Sequence, residues 1–402
     1  MIVHGHCRKV LENVADDVFD SCNCDPPYEI KFFNEEWDSR GVAFDPRVWR
    51  EILRVMKPGA YLLAFTGPRT YHRITCAVED AGFEIRDQIA WIYGEGMPKG
   101  GRPGPAIDKT LGAERVVVGH RTLSGTAALS TKERGGTHSV NVSSHGRKKV
   151  VPITTAGSEE AKLWEGWGYN LKPALEPIIV ARKPFKGSAV SNILEHGVGA
   201  LNVDACAVPV QGDVGEPRWP ANVLLGHSPE CLPNICVPWC PVAVLGAQSG
   251  IRKSAGNKSK TSGKGALWGS TGRRDWDPSE VSKNDIGTAS RYFNRFYTAD
   301  KDIYFPRTFY SKKVAPKERS VDGHVEISHR TIKPWKLMRW LVQLSTPPGG
   351  YVLDPFVGSG TTGIACEFLG MRFYGIDRKR GHVIEARARL KAAKQYWFSR
   401  AA

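Results

Sequence analysis

What most constrains this chain is a rhythm of strand and helix that occurs twice, once at each end. Phe19–Cys24 reads as a short apolar strand. Pro46–Met56 has helical spacing (Val48, Trp49, Ile52, Leu53, Met56) and stops at Lys57-Pro58-Gly59, after which GAYLLAFTG reads as a buried strand. Arg69–Ala81 reads as a helix ending at Gly82, and FEIRDQIAWIY as another strand. From about Gly94 to Asp322 the order dissolves into Gly, Pro, Ser and basic residues with only short apolar runs, such as EPIIVAR at 176–182. It resumes with a helix over Pro334–Leu344, GYVLD as a strand, a helix over Gly363–Leu369, RFYGID as a strand, and a basic amphipathic helix over Arg378–Lys394. Strands alternating with helices imply a mostly parallel sheet covered on both faces. The sequence therefore predicts an α/β, Rossmann-like sheet domain with helices on both faces. Its halves are expected at 1–95 and 322–402, interrupted by a large irregular insertion at 96–321.

Each half carries one chemical signal. In the first, strand 19–24 runs into Asp25-Pro26-Pro27-Tyr28. Proline has no backbone N–H and fixes its own φ, so two in succession end the ladder and hold the chain extended. Asp25 and Tyr28 are then held stiffly at the carboxyl end of a strand, where open α/β sheets bind ligands. A Pro-rich turn with an N-capping Asp is the plain alternative. In the second half, VLDPFVGSGTTGIACEFLGMRFYGID takes a strand into Asp354-Pro355-Phe356, then a turn with Gly358, Ser359 and Gly360, then a helix opening on Thr361 and Thr362; Asp377 closes the next strand. Glycines let a backbone approach a ligand closely, and an Asp at the end of the following strand can accept hydrogen bonds from both ribose hydroxyls of an adenosine-type cofactor. The turn lacks the Gly-x-Gly-x-x-Gly pattern of dinucleotide sites, so S-adenosylmethionine fits it better.

The 402 residues carry 56 Lys and Arg against 41 Asp and Glu, a net charge of +15, and such an excess attracts polyanions. Part of it lies in SGIRKSAGNKSKTSGKGALWGSTGRR, where Arg252, Lys253, Lys258, Lys260, Lys264, Arg273 and Arg274 stand with no acidic residue among them. Rich in Gly and Ser, the stretch reads as a loop able to follow a phosphate backbone, or else as a solvated linker. No run approaches the ~18 to 20 apolar residues of a membrane span, and the N-terminus lacks the features of a signal peptide, so a cytoplasmic protein without membrane partners is expected. The 9 cysteines are scattered and odd in number, which speaks for reduced thiols. His227, Cys231, Cys236 and Cys240, spaced H-x3-C-x4-C-x3-C, could close a tetrahedral zinc site in an insertion short of apolar core. Against zinc, the spacing is not the usual paired CxxC. Trp164, Trp167, Trp219, Trp239, Trp268 and Trp276 could stack on bases, although burial is the commoner use of tryptophan.

The pair DPPY and DPF-x-GSGTT, joined by HRTIKPWKLMRWLVQLSTPPGGYVLD, resembles the β-class DNA amino-methyltransferases, which place the target-base motif before the cofactor motif. The resemblance covers about 1–95 and 325–395. The middle is similar to phage- and prophage-encoded adenine N6-methyltransferases in WIYGEGMPKG, LKPALEPIIVARKPFKG, GALNVDAC and RWPANVLL. It implies that S-adenosylmethionine is the cofactor, double-stranded DNA the partner and the insertion a target recognition region, and it leaves open a cognate restriction endonuclease. It further implies that the Asp25 carboxylate and the Pro26 carbonyl accept the hydrogens of a flipped adenine's N6 amine, that Pro27 helps to hold them rigid, and that Tyr28 stacks on the base. Lys333-Pro334, with His329 and Thr331, resembles the element near the methionine end of the cofactor; Pro opening a helix accounts for Pro334 in either case. The family's Gly-Asp-Cys-like element stands here as Gly5-His6-Cys7, without the usual acidic contact to the cofactor's adenine. Two other readings remain: cytosine N4 as the target amine, and a DNA-binding protein without catalysis that masks sites.

Overall fold

The strands that lead into the two motifs, far apart in the chain, pair side by side and parallel, Val352 against Ser21 and Leu353 against Cys22. The structure is a computed structural model. It describes residues 1–30, 36–94, 101–124, 148–208, 217–228, 231, 235–253, 286–297, 320–321, 325–326 and 332–401. The chain forms two units, one of Met1–Gly94, Leu175–Ala299 and Lys333–Ala402, the other of Glu95–Ala174 and Asp300–Ile332.

In the first unit nine strands form one sheet: β1 (Ile2–His4), β2 (Phe19–Cys24), β3 (Met56–Phe65), β4 (Glu84–Ile92), β5 (Leu175–Arg182), β6 (Val223–His227), β7 (Asn294–Tyr297), β8 (Tyr351–Asp354) and β9 (Arg372–Asp377). Their order in space is β1-β9-β8-β2-β3-β5-β4-β6-β7. Every pairing is parallel except those of β5, which runs antiparallel to both β3 and β4. Among the described residues eight α-helices accompany the sheet: α1 (Cys7–Leu11), α2 (Pro46–Val55), α3 (Tyr71–Asp80), α4 (Ala189–His196), α5 (Pro241–Ser249), α6 (Trp335–Ser345), α7 (Thr361–Leu369) and α8 (Arg380–Ala401). Side chains alternate across a strand, and along β3 they divide between two cores. Tyr61, Leu63 and Phe65 enter one with Leu337 and Leu341 of α6, Ala365 of α7 and Val383 of α8. Ala60, Leu62 and Ala64 enter the other with Leu11 of α1, Trp49 and Ile52 of α2, and Ile74 and Val78 of α3. A strand covered on both faces must be apolar throughout, which is why β3 reads as an unbroken hydrophobic run.

The expected α/β architecture is present, and its details differ in three places. First, the interval 96–321 is not one insertion: β5, β6 and β7 lie within it and join the central sheet. EPIIVAR is a buried strand, with Ile178 and Val180 in one core and Ile179 and Ala181 in the other. Its apolar run is too short to be told from a loop element until its neighbours are known. Second, α2 stops as expected just before Lys57-Pro58-Gly59, but these three residues lie inside the following strand and do not precede it. β3 starts at Met56, and the register shifts between Phe19↔Met56 and Ser21↔Tyr61, so Pro58 and Gly59 sit at a bulge, Gly59 with φ 82°. Third, Trp164, Trp167, Trp219 and Trp239 are exposed, not buried, and belong to none of the apolar clusters among the described residues. Trp268 and Trp276 lie outside the described residues.

The second unit contains a helix, Pro103–Leu111, a hairpin of Val116–Ser124 with Lys148–Thr155, and a short helix, Glu159–Leu163. Buried Asp108 ties it together, accepting from the Ser158 hydroxyl (2.7 Å), the Ser158 N–H (2.9 Å) and Arg115 Nη1 (2.6 Å). No helix among the described residues is long and apolar enough to cross a membrane.

Candidate active site

β2 is held by a buried polar network beneath the ledge it carries. Ser21 Oγ lies 2.7 Å from Thr346 Oγ1, and Asn23 Nδ2 donates to Ser21 Oγ (3.1 Å) and Ser345 Oγ (2.9 Å), which joins the strand to the end of α6. Buried polar groups satisfied in this way fix a register more sharply than apolar packing. Past Cys24 the chain leaves the sheet through Asp25, Pro26, Pro27 and Tyr28. The Thr70 hydroxyl donates to the Tyr28 carbonyl (2.6 Å). Glu29 then adopts a left-handed φ of 57°, a strained value for a residue other than Gly, Asn or Asp. The turn is over-determined: Asp38 accepts from the N–H groups of Glu29 (2.8 Å) and Ile30 (3.2 Å), while the Glu29 carboxylate accepts from Gly41 (2.8 Å) and Ala43 (3.3 Å).

Two charged groups complete the ledge. Lys333 Nζ stands 2.7 Å from Asp25 Oδ2 and 3.4 Å from Glu176 Oε2, and the Tyr28 hydroxyl donates to the same Glu176 oxygen at 2.8 Å. The ammonium also lies 5.2 Å from the Tyr28 ring centre and 5.0 Å from that of Phe65. Lys333 was expected near a cofactor; the structure brings it to Asp25. Glu176 is a site residue that sequence reasoning missed. Because β5 runs antiparallel, its first residues lie among the last residues of its parallel neighbours, and the Thr66 hydroxyl at the end of β3 donates to Pro177 O (2.9 Å). The available signal was a carboxylate opening an otherwise apolar strand. Burial raises the Asp25 carboxyl above its ordinary range; Lys333 opposes this and Glu176 adds to it. Burial, together with the Asp25 and Glu176 charges, pushes the Tyr28 phenol well above its usual value.

On the adjoining strand, β8 ends at Asp354 and the chain turns through Phe356, Gly358, Ser359 and Gly360 into α7. Asp354 faces inward: it accepts from the Phe356 N–H (3.0 Å) and the Thr362 hydroxyl (2.6 Å), and burial pushes its carboxyl up to about 7. It shapes the turn. Gly360 has φ 82°, and a Cβ there would lie 2.9 Å from Ala386 Cβ, so both conformation and space require glycine. Ser359 and Thr361 are buried, their hydroxyls 3.3 Å apart, and the Ser359 carbonyl accepts from Arg389 Nη1 of α8 at 2.5 Å. Asp377 at the end of β9 accepts from the N–H groups of Gly358 (3.0 Å) and Lys379 (2.7 Å), and its other near neighbour is His382 Nδ1 (3.3 Å). Its carboxylate therefore braces the Gly-rich turn from the strand next door. His6 lies two residues past β1, after Gly5, whose N–H bonds to the Asp377 carbonyl (2.9 Å). Its Nδ1 is buried with no partner among the described residues. Burial, with Arg378 and Arg8 nearby, lowers the imidazole pKa, favouring the neutral ring. A braced glycine turn, an acid at the next strand end and an orphaned neutral imidazole suit an uncharged purine nucleoside, and the adenosyl part of S-adenosylmethionine fits them.

Arg252 and Lys253 form a two-residue strand paired with Ile286–Gly287, and Arg252 is exposed. Lys258, Lys260, Lys264, Arg273, Arg274, His329 and Thr331 lie outside the described residues. Pro334 caps α6 one position before its first turn. His227, Cys231, Cys236 and Cys240 converge in the first unit.

The chain is similar to known proteins. M2.DpnII, a type II methyltransferase of Streptococcus pneumoniae, is 48% identical over 67 residues, 17% of this chain and 25% of that protein. The type II methyltransferase M.HinfI of Haemophilus influenzae is 38% identical over 78 residues, 19% of this chain and 22% of that protein. The chain thus spans about a quarter of the length of the curated relatives it matches. A crystal structure of TTHA0409 from Thermus thermophilus, a putative DNA modification methylase complexed with S-adenosyl-L-methionine, aligns over 98% of this chain and 95% of its own at 14% identity, with a TM-score of 0.39. The family model for N6/N4-type DNA methylases matches residues 19–387, a span that begins with β2, crosses both motifs and ends within α8. With most of its length so matched, the chain belongs to the N6/N4 DNA methylase family.

Proposed function

We propose that this protein is an S-adenosylmethionine-dependent DNA methyltransferase that modifies the N6 amine of an adenine flipped out of the duplex. The observation that carries this reading is the meeting of an aspartate ledge and a braced glycine turn at the ends of two paired parallel strands. When bound, S-adenosylmethionine supplies a methyl group activated by its sulfonium. An exocyclic amine is a poor nucleophile because its lone pair is delocalised into the ring, and acceptors aimed at its two hydrogens localise that pair. In this reading Asp25 Oδ1 and the Pro26 carbonyl are those acceptors, Asp25 Oδ2 being engaged by Lys333. Pro26 and Pro27 keep them in line, and Tyr28, its hydroxyl anchored by Glu176, stacks on the base and offsets part of the few kcal/mol that flipping costs. As the nitrogen takes the methyl group it becomes cationic and must lose a proton; Asp25, whose carboxyl is held above its ordinary range chiefly by burial, is the group that receives it and passes it to water. Arg252, Lys253 and the basic residues that follow would grip phosphates.

The same acceptors serve a cytosine N4 amine, and Asp rather than Ser before Pro-Pro-Tyr favours adenine by family resemblance. The test is expression in a host without DNA methylation, followed by modification-sensitive sequencing. N6-methyladenine is expected. N4-methylcytosine would overturn the base assignment, and unmodified DNA would favour a site-masking protein. A restriction endonuclease encoded beside the gene would fit site-specific methylation. For Asp25→Ala, methyl transfer should vanish while calorimetry finds cofactor affinity unchanged; an active variant would sink the role given to Asp25.

A further inference from the structure

The first unit holds a cluster that methyl transfer does not use. β6 ends at His227, the following loop carries Cys231 and Cys236, and Cys240 is the residue before the first turn of α5. One ligand atom from each of the four lies within 4.8 Å of all the others. His227 Nδ1 is 3.3 Å from Cys236 Sγ and 3.6 Å from Cys240 Sγ. Around a zinc ion with Zn–S near 2.3 Å and Zn–N near 2.0–2.1 Å, the edges of a tetrahedron come to about 3.5–3.8 Å. The two His227–cysteine separations are close to those edges, and the other pairs need close in by no more than about 1 Å. The three cysteines are free thiols, so no disulfide accounts for their convergence.

One more observation points the same way. The buried apolar cluster here consists of Leu225, Val242 and two of the cysteines, Cys231 and Cys240. Half of its fully buried members are thiols, and the residues packed against them, among them Ile92, Val223, Leu245 and Phe293, are only partly buried, so the centre of the cluster is made of sulfur as much as of hydrocarbon.

We propose that His227, through Nδ1, with Cys231, Cys236 and Cys240, binds one structural zinc ion that pins the end of β6 to the start of α5. Four protein ligands leave no open position for substrate or water, so the site is structural. Three thiolates and an imidazole select zinc over calcium or magnesium. On binding, each thiol that becomes a thiolate gives its proton to solvent, so uptake of zinc acidifies a weakly buffered solution. The ion would secure β6 and β7, the two strands beyond β4. The inference does not rest on the proposed methyl transfer.

The experiment uses the full chain, purified without chelator and analysed for metal content. One zinc per chain is expected; a well-folded protein without zinc that takes up none on addition of the metal would overturn the proposal. Exchange with cobalt should give the intense visible bands of a tetrahedral thiolate-rich site, and bands of six-coordinate cobalt would equally overturn it. Cys231→Ser with Cys240→Ser should bring the metal to less than a tenth of the wild-type content. Cys236→His keeps four ligands and should retain it, which separates lost ligation from misfolding. After chelation, hydrogen exchange should quicken by at least tenfold in 223–250 and 286–297 while β2 and β8 stay protected; unchanged exchange in those segments would refute the pinning role.

Discussion

Replacing Lys333 with Met keeps most of the side chain's length and removes its charge from between two carboxylates. At an effective dielectric of about 20, unit charges 2.7 Å and 3.4 Å apart attract by roughly 6 and 5 kcal/mol, before the desolvation of each ion is set against them. Losing one partner of a fully buried pair costs about 3–5 kcal/mol net. The Lys333 side chain is 9% exposed, but Asp25 and Glu176 keep 22% and 19%, so water relieves part of the stranded charge. A loss of about 2–3 kcal/mol at pH 8 is expected. Its pH dependence is the sharper test. Burial raises the Asp25 carboxyl above its ordinary value of 3.8, and Lys333 is the largest influence pulling it back. In Lys333→Met the folded-state pKa rises further while the unfolded value stays put. An acid with a raised folded pKa binds its proton more tightly when folded, so it costs stability as pH climbs from the unfolded value through the folded one. The deficit of the variant should be small near pH 4 and grow toward pH 8. Urea unfolding of both proteins at pH 4.5, 6 and 8, followed by tryptophan fluorescence, measures it. A deficit independent of pH would refute the electrostatic argument and assign the loss to packing against Tyr28 and Phe65.

Gly360→Ala forces a side chain into a left-handed φ and against Ala386, neither of which can yield cheaply; a loss of about 2–3 kcal/mol in urea unfolding is expected, together with weaker cofactor binding by calorimetry. Asp377→Ala removes the acid proposed for the ribose and unbraces the Gly358 turn, so cofactor affinity should fall by about 1–3 kcal/mol; unchanged affinity takes Asp377 out of the site. Replacing Lys258, Lys260 and Lys264 with Ala should weaken DNA binding alike on two unrelated duplexes and make the log–log salt dependence shallower by roughly 0.9 for each phosphate no longer neutralised. An unchanged slope identifies that stretch as a solvated linker.

By itself the sequence determined whatever depends on neighbours in the chain. The alternating elements were legible because helix and strand impose different periods on apolar residues, and α2 and β3 fall within a few residues of their expected bounds. The two motifs were legible because proline and glycine act on their own φ and ψ, whatever surrounds them. Tertiary structure alone decided which strand ends meet. β5 reads as one short apolar run among many until it pairs between β3 and β4, and only its antiparallel direction brings Glu176 to Tyr28 and Lys333. The same holds for Arg389, one basic residue of a basic helix until it reaches the Ser359 carbonyl, and for Asp354, which turns inward to Thr362. Those contacts join residues whose separation along the chain carries no trace of their distance in space. Strand order is set by the cooperative burial of two faces of one sheet, a property that no local window of sequence contains.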